Sequence, residues 1–362
     1  MRVDQLVPAF HRGDAIGDTA FHMREFLRSK GFSSDIYCLD RDKGLEGEGL
    51  PFAEFPPAGK SDVTILHFAL PSPLTTGLAR QAGRKVIVYH NITPERFFAP
   101  YDAGMARLCR VGREELASLV PSVDLALADS EYNRRELADL GFRRTDVLPL
   151  FIDFGKYEAP PYGFAGDLYR DGRVNILFVG RIAPNKRIED LIKVAFYYKK
   201  YISPLVRLIV VGKTSSLPKY FESLVRMADE FYLKPEEIVF TGHIPDEEMF
   251  ALYGASDVFL SMSEHEGFCL PLVESMVFEV PIVAFDAAAV PFTLDGAGVL
   301  VRTKRPDRVA ELVARIAGDA GDKTGGAGLR ERIVEGQKRR LERFRAMDLG
   351  GFLLGKIKEL VP

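Results

Sequence analysis

The sequence predicts an α/β protein built from two doubly wound domains of parallel sheet. Short apolar runs rich in Val, Ile, Leu and Phe, each ended by Gly, Pro or a polar residue, alternate with helical periods along the chain. The runs do not alternate apolar with polar, which implies strands covered on both faces. A length of 362 residues, set against ~150 per domain, gives two such units.

In the first half, strands are expected at 3–9, 35–39, 63–68, 85–90, 125–128 and 146–148, with helices at 18–30, 103–120 and 130–140. The stretch 151–172 carries Pro160-Pro161, Gly155, Gly163, Gly166 and Gly172 without a clear period, and reads as a linker. Alternation restarts with strands at 174–179, 208–211, 238–240, 258–260, 281–285 and 298–301, and helices at 188–201 and 306–317. A glycine-rich tract, 321–328, leads to a basic helical segment, 329–347, and a last apolar piece, 352–361. The expected division is 1–155, 172–328, and a C-terminal segment 329–362 that packs back on the first domain. Tandem open sheets hold ligands beyond the carboxyl ends of their strands, so a cleft between the domains is the expected active site.

Composition narrows the function classes. Hydrophobic residues are 47% and charged residues 27%, and 48 Lys+Arg against 51 Asp+Glu leave a net charge of -3. Neither a disordered nor a nucleic-acid-coating chain has this balance. No apolar run approaches the ~18 residues of a membrane span, and the start, Met1-Arg2-Val3-Asp4-Gln5, lacks the layout of a secretory signal, so a cytoplasmic protein is expected. Cys38, Cys109 and Cys269 have no short pairing and read as reduced. The six histidines show no metal-ligand spacing, so no metal and no cofactor are expected.

The segment Ser263-Glu264-His265-Glu266-Gly267-Phe268-Cys269-Leu270-Pro271 follows a buried strand and opens a helix that contains Glu274. Pro271 suits the first helical turn. Free N–H groups near Phe268 to Leu270 and the positive end of the helix dipole make a site for phosphate oxygens. Carboxylates at 266 and 274 suit a ligand with sugar, diphosphate and ribose in a row. Upstream, Gly180-Arg181 and Lys186 sit at the carboxyl end of the second domain's first strand. A guanidinium fork and a compact ammonium there can hold a diphosphate and neutralise it as a leaving group.

Gly180-Arg181 with Lys186, the strand end Phe240-Thr241-Gly242, and Glu266-Gly267-Phe268 running to Glu274 resemble the retaining "group 1", or family-four, glycosyltransferases of the GT-B shape. The resemblance spans the second domain and implies two Rossmann-like domains facing a cleft. By that resemblance Arg181 and Lys186 bind the nucleotide diphosphate, Glu266 contacts the donor sugar and Glu274 the ribose. The loop amides around Gly267, Phe268, Cys269 and Leu270 take phosphate or sugar, and Gly242 and His243 lie where the base is recognised. In the first domain, Gly13 and Gly17 correspond to a glycine-rich loop that touches the diphosphate in the family, although adjacent glycines are missing here. His90-Asn91-Ile92-Thr93-Pro94 resembles the loop whose histidine lines the donor-sugar pocket, which makes His90 a catalytic candidate. Ala287-Ala288-Ala289-Val290-Pro291-Phe292 departs from the family's glycines and Glu on the acceptor side.

Competing motifs fail on spacing. Gly212-Lys213-Thr214 has Arg207 where a phosphate-binding P-loop needs glycine, and no Gly-x-Gly-x-x-Gly follows the first strand of either domain. Asp40-Arg41-Asp42 reads as a loop. The expected activity is metal-independent, retaining transfer of a mannose- or glucose-type hexose from a UDP-, GDP- or ADP-sugar to a glycan or lipid-linked acceptor in cell-envelope polysaccharide synthesis. A sugar-nucleotide epimerase and a non-catalytic sugar-nucleotide-binding subunit are the alternatives. Arg107, Arg110 and Arg113, three residues apart on one helix, form a candidate basic face for peripheral contact with the inner membrane surface.

Overall fold

A computed structural model describes residues 1–158, 166–318 and 328–361. The chain divides into two units, Met1–Ala99 with Ala103–Asp153 and Met347–Pro362, and Pro100–Asp102 with Phe154–Ala346. All of the expected apolar runs are strands, and the pairings between named strands are parallel.

The first sheet contains β1 (Val3–Phe10), β2 (Ile36–Arg41), β3 (Gly49–Pro51), β4 (Val63–Phe68), β5 (Arg84–Tyr89), β6 (Leu125–Ala128) and β7 (Thr145–Val147), in the order β3-β2-β1-β4-β5-β6-β7. Its helices include α1 (Ala15–Ser29), α2 (Pro73–Ala79), α3 (Ala103–Ser118) and α4 (Glu131–Leu140). Asp14 caps α1, accepting from the backbone N–H of Ile16 at 2.9 Å and of Gly17 at 2.6 Å. Gly17 is glycine for a packing reason: a Cβ there would lie 1.8 Å from the His11 carbonyl oxygen.

The second sheet contains β8 (Val174–Val179), β9 (Val206–Val211), β10 (Ile238–Gly242), β11 (Val258–Ser261), β12 (Ile282–Phe285) and β13 (Val299–Val301), in the order β10-β9-β8-β11-β12-β13. It carries α5 (Ile188–Tyr201), α6 (Pro218–Glu230), α7 (Asp246–Gly254), α8 (Leu270–Val277), α9 (Val290–Leu294), α10 (Pro306–Gly318) and α11 (Leu329–Arg345). In each sheet the strand order reverses beside the first strand, between β1 and β4 and between β8 and β11. Loops leaving these strands diverge and open a crevice at the carboxyl ends.

The C-terminal segment divides where a single 329–362 segment was expected to pack on the first domain. Helix α11 stays with the second unit, because Ile333, Leu341 and Phe344 are buried and Gln337 is wholly enclosed. The Gln337 amide donates to the Val280 carbonyl at 2.9 Å and accepts from the Ile282 N–H at 3.0 Å, clamping the start of β12. Only the last helix, α12 (Leu349–Leu360), returns to the first unit. Its Leu353, Ile357 and Leu360 join Val3, Ile65, Val88 and Leu127 in one apolar cluster. Each such side chain contributes about 1.5–3 kcal/mol on burial. Of the linker and glycine-rich tract, Pro160, Pro161, Gly163 and 321–327 lie outside the described residues.

The three arginines of α3 do not form one open basic face. The helix buries Ala106, Cys109, Gly112 and Leu116, which turns Arg113 towards the protein. Arg113 pairs with Glu136 at 2.5 Å and donates to the Ile92 carbonyl at 2.6 Å, while Arg110 lies 3.8 Å from Glu95. Among the described residues, no helix is long and apolar enough to cross a membrane. The three cysteines are free thiols.

Candidate active site

The second unit's site is built at the β8/β11 reversal. Gly180 closes β8 with φ 154°, and its N–H donates to the Val211 carbonyl at 3.0 Å. At the end of β9, a Cβ on Gly212 would meet the Gly180 carbonyl oxygen at 1.9 Å, so the two strand ends touch through backbone alone. Arg181 follows, exposed and without a hydrogen-bond or ion-pair partner among the described residues. A short 3-10 turn, Pro184–Lys186, then aims Lys186 across the crevice. Its Nζ lies 2.5 Å from Glu266 Oε2, with the two side chains 15% and 7% exposed.

This approach depends on a clamp between two loops 80 residues apart. The buried Asn185 donates from Nδ2 to the His265 carbonyl at 2.9 Å, and its own carbonyl accepts from the Glu264 N–H at 2.8 Å. Lys304 supports the same loop, reaching Glu264 at 2.9 Å, Asp190 at 2.8 Å and the Met262 carbonyl at 3.0 Å. Burial opposes ionisation of Asp190, but Lys304 and Lys193 together hold its carboxyl below the usual range. Beyond Glu266, Thr293 donates to the Phe268 carbonyl at 2.5 Å. Cys269, at φ 70°, starts α8 in a left-handed conformation. Burial, reinforced by the Glu266 charge, pushes the Cys269 thiol well above its ordinary value. At the start of α8, Pro271 has no N–H and the Leu272 N–H donates to the Cys269 carbonyl at 3.0 Å, which leaves the Leu270 N–H as the donor without an intrahelical partner.

Glu274 is on α8, but it is more deeply enclosed than a solvent-facing carboxylate. Its Oε1 accepts from Tyr157 at 3.2 Å and its Oε2 from Tyr253 at 2.9 Å. Burial raises the Glu274 carboxyl, while the Lys156 charge and the two tyrosine hydrogen bonds pull it back. Gly242, at φ 73°, ends β10, and His243 is exposed beside it. Gly180, Arg181, Lys186, Glu266, Gly267, Phe268, Cys269, Leu270 and Glu274 therefore share one set of loops at the sheet's carboxyl edge, with Gly242 and His243 two strands away.

Gly13, Gly17 and His90 belong to the first unit. Gly13, at φ 85°, lies in the loop after β1, and Gly17 in the first turn of α1. The His90 ring is 2% exposed and has Asp129 and His67 on its two nitrogens, each at 2.9 Å. Sequence reasoning missed Asn185, Tyr157, Tyr253, Thr293 and Lys213. Lys213 is exposed and unpaired among the described residues, directly after Gly212 at the end of β9. Its position after a strand was the available signal; the others act through contacts that only the fold creates.

A doubly wound sheet whose switch point gathers two cations, a carboxylate and a helix N-terminus has the chemistry to hold a phosphate-bearing ligand. Residues 167–340, a little under half of the chain, match the family described as "Glycosyl transferases group 1". Over those residues the second unit is similar to that family, and the chain has the fold of solved glycosyltransferases. A GDP-mannose-dependent alpha-mannosyltransferase of Mycobacterium tuberculosis (strain CDC 1551 / Oshkosh) is 27% identical over 70% of this chain and 65% of its own length. This chain thus covers less than two thirds of that relative. A GDP-mannose-dependent alpha-(1-6)-phosphatidylinositol monomannoside mannosyltransferase of Mycolicibacterium smegmatis (strain ATCC 700084 / mc(2)155) is 26% identical over 72% of this chain and 69% of its own. Among solved structures, Anabaena Alr3699/HepE in complex with UDP-glucose superposes with a TM-score of 0.72 at 16% identity, over 99% of this chain and 100% of that one. At that identity the likeness concerns the fold alone.

Proposed function

We propose that this chain transfers a mannosyl group from GDP-mannose to a hydroxyl of a glycan or lipid-linked acceptor, with retention at the anomeric carbon. The observation that carries the reading is the Lys186–Glu266 pair at the N-terminal end of α8, with the unpaired Arg181 on the same edge. The GDP and mannose assignments draw on the names of the two mycobacterial relatives.

In this reading the acceptor oxygen bonds to C1 of the sugar as the bond from C1 to the diphosphate oxygen breaks. The acceptor proton passes to the departing diphosphate on the same face. Arg181 supplies a two-pronged donor and Lys186 a point charge to the phosphates, and the Leu270 N–H opening α8 adds a preorganised positive pole. These groups supply the countercharge in a metal-independent mechanism. Glu266, anchored by Lys186, accepts from sugar hydroxyls and fixes the ring for attack. Glu274 takes the ribose diol on lone pairs that Tyr157 and Tyr253 leave free. Gly180 and Gly242 let the nucleotide approach the backbone, with His243 beside the base. Gly13 and Gly17 are the first unit's contacts to the diphosphate.

Thermal-shift binding of GDP, UDP and ADP to the native and Glu274→Ala proteins tests the reading. A nucleotide at 100 times its Kd adds about 2.7 kcal/mol of stability. Stabilisation by GDP, lost in the variant, is expected; no stabilisation of the folded native protein by any nucleotide overturns the site assignment.

A further inference from the structure

Period two places Gln5 of β1, His67 of β4, His90 after β5 and Asp129 after β6 on the face that carries Val3, Val63, Ile65, Val86, Val88, Leu125 and Leu127. These strands are neighbours, β1-β4-β5-β6, so the apolar face ends in a polar row. Gln5 and His67 are wholly buried, Asp129 is 4% exposed, and the His90 ring 2%. Along the row His67 Nε2 lies 2.8 Å from Gln5 Oε1, His67 Nδ1 lies 2.9 Å from His90 Nε2, and His90 Nδ1 lies 2.9 Å from Asp129 Oδ2.

The direction of these bonds is fixed from one end. Gln5 Nε2 donates to the Ala20 carbonyl at 2.9 Å, so its Oε1 is the atom facing His67, and it can only accept. Three hydrogen bonds need three protons. Two neutral imidazoles supply two, and an ionised carboxylate and an amide oxygen supply none. We infer that the row holds a third proton between His90 Nδ1 and Asp129 Oδ2, and that His67 and Asp129 thereby serve as positioning residues for His90 and the 90–94 loop.

His67 is the wrong place for the extra charge: burial and its neighbour His90 hold it well below the ordinary histidine range. Burial likewise raises the Asp129 carboxyl against the pull of His90, which favours keeping the proton. Each of these two groups is acted on by His90 alone among charged residues. The loop leaves this anchor through Asn91, at φ 79°, whose amide donates to Asn133 at 2.7 Å, and the Ile92 N–H donates to the Tyr89 hydroxyl at 3.0 Å. With both nitrogens engaged, the His90 ring is an anchor and not the group that takes a proton from the acceptor. The inference deepens the proposed transfer reaction at His90, while its test reads the row whether or not transfer occurs.

Long-range proton–nitrogen spectra of the full chain labelled with 15N-histidine read the ring protons directly. Both His67 and His90 are expected to carry Nε2–H near neutral pH; an Nδ1–H on His67, or a bare Nε2 on His90, overturns the count. In an Asp129→Asn variant the amide donates a covalent hydrogen to His90 Nδ1, so the row closes without a titrating proton. The wild-type folding constant is then expected to fall about tenfold more per pH unit than the variant's above the unfolded histidine range. Equal slopes overturn the proposal, and the wild-type spectra decide the case by themselves if the variant does not fold.

Discussion

Replacing Lys186 by alanine separates its pairing with Glu266 from its proposed role on the diphosphate. Its ammonium faces Glu266 at 2.5 Å, with the carboxylate side chain 7% exposed. At an effective dielectric of 20, opposite charges attract by about 4 kcal/mol at a separation of about 4 Å and by more at shorter range. Desolvation offsets much of that, but removing one partner leaves a buried carboxylate uncompensated, a loss of about 3–5 kcal/mol in fully buried pairs. Lys186 is 15% exposed, so water reaches the gap, and about 2–3 kcal/mol is expected. Adding Glu266→Gln to Lys186→Ala should recover most of this in urea denaturation. Catalysis should respond differently. Loss of one preorganised charge on the leaving diphosphate costs about 2–4 kcal/mol in the transition state, roughly 30- to 1,000-fold in rate, and the double variant should not recover it. The assay is the initial rate of GDP release from GDP-mannose. Near-wild-type turnover in Lys186→Ala would refute its assignment to the diphosphate. A double variant no more stable than the single would refute the uncompensated-charge argument.

Three further outcomes follow from the geometry. Glu274→Gln keeps one oxygen to accept from a tyrosine hydroxyl, turns the other contact into a donor from the amide and removes the charge, and GDP affinity by calorimetry should fall about tenfold, the scale of one charge-assisted hydrogen bond; unchanged affinity rejects the ribose role. Asp4 is pushed up to about 6, chiefly by burial, so the folded protein holds a proton that the unfolded chain gives up near 3.8. Its contribution is complete below about pH 3.8 and is lost as pH rises through about 6. Asp4→Asn should flatten the stability curve in that window, and an unchanged curve rejects the shift. Gly17→Ala drives a Cβ into the His11 carbonyl and should destabilise by about 2 kcal/mol or more without ligand, as overpacking does; a stable variant that only loses nucleotide binding would mark a ligand glycine instead.

Strand boundaries were legible wherever an apolar run met a sharp stop. Val63–Phe68, Leu125–Ala128 and Val174–Val179 are found at the expected residues, as is the helix Ile188–Tyr201. The short β3, Gly49–Pro51, was not expected, because three residues with glycine and proline give no period, and proline is tolerated only at such an edge. The helix 103–120 ends two residues early, at Ser118. At the site, strand-end position and residue type singled out Lys186 and Glu266, but not that they meet. Their contact depends on the Asn185 clamp, which joins loops from two different strands. His67 was passed over for the same reason: alone it is a histidine on an apolar face, and its partners Gln5 and His90 come from two other strands.

The return of α12 to the first unit has a consequence for synthesis. A ribosome completes the second unit at residue 346, yet Leu353, Ile357 and Leu360, which seal the first unit's apolar cluster, emerge only afterwards. The half of the protein translated first is therefore the half finished last. Until α12 docks, the face carrying Val3, Ile65, Val88 and Leu127 is only partly covered, by Met23 and Leu27 of α1, and leaves a sticky surface in a nascent chain. A stop just before Leu349 thus damages the first unit and leaves the second intact.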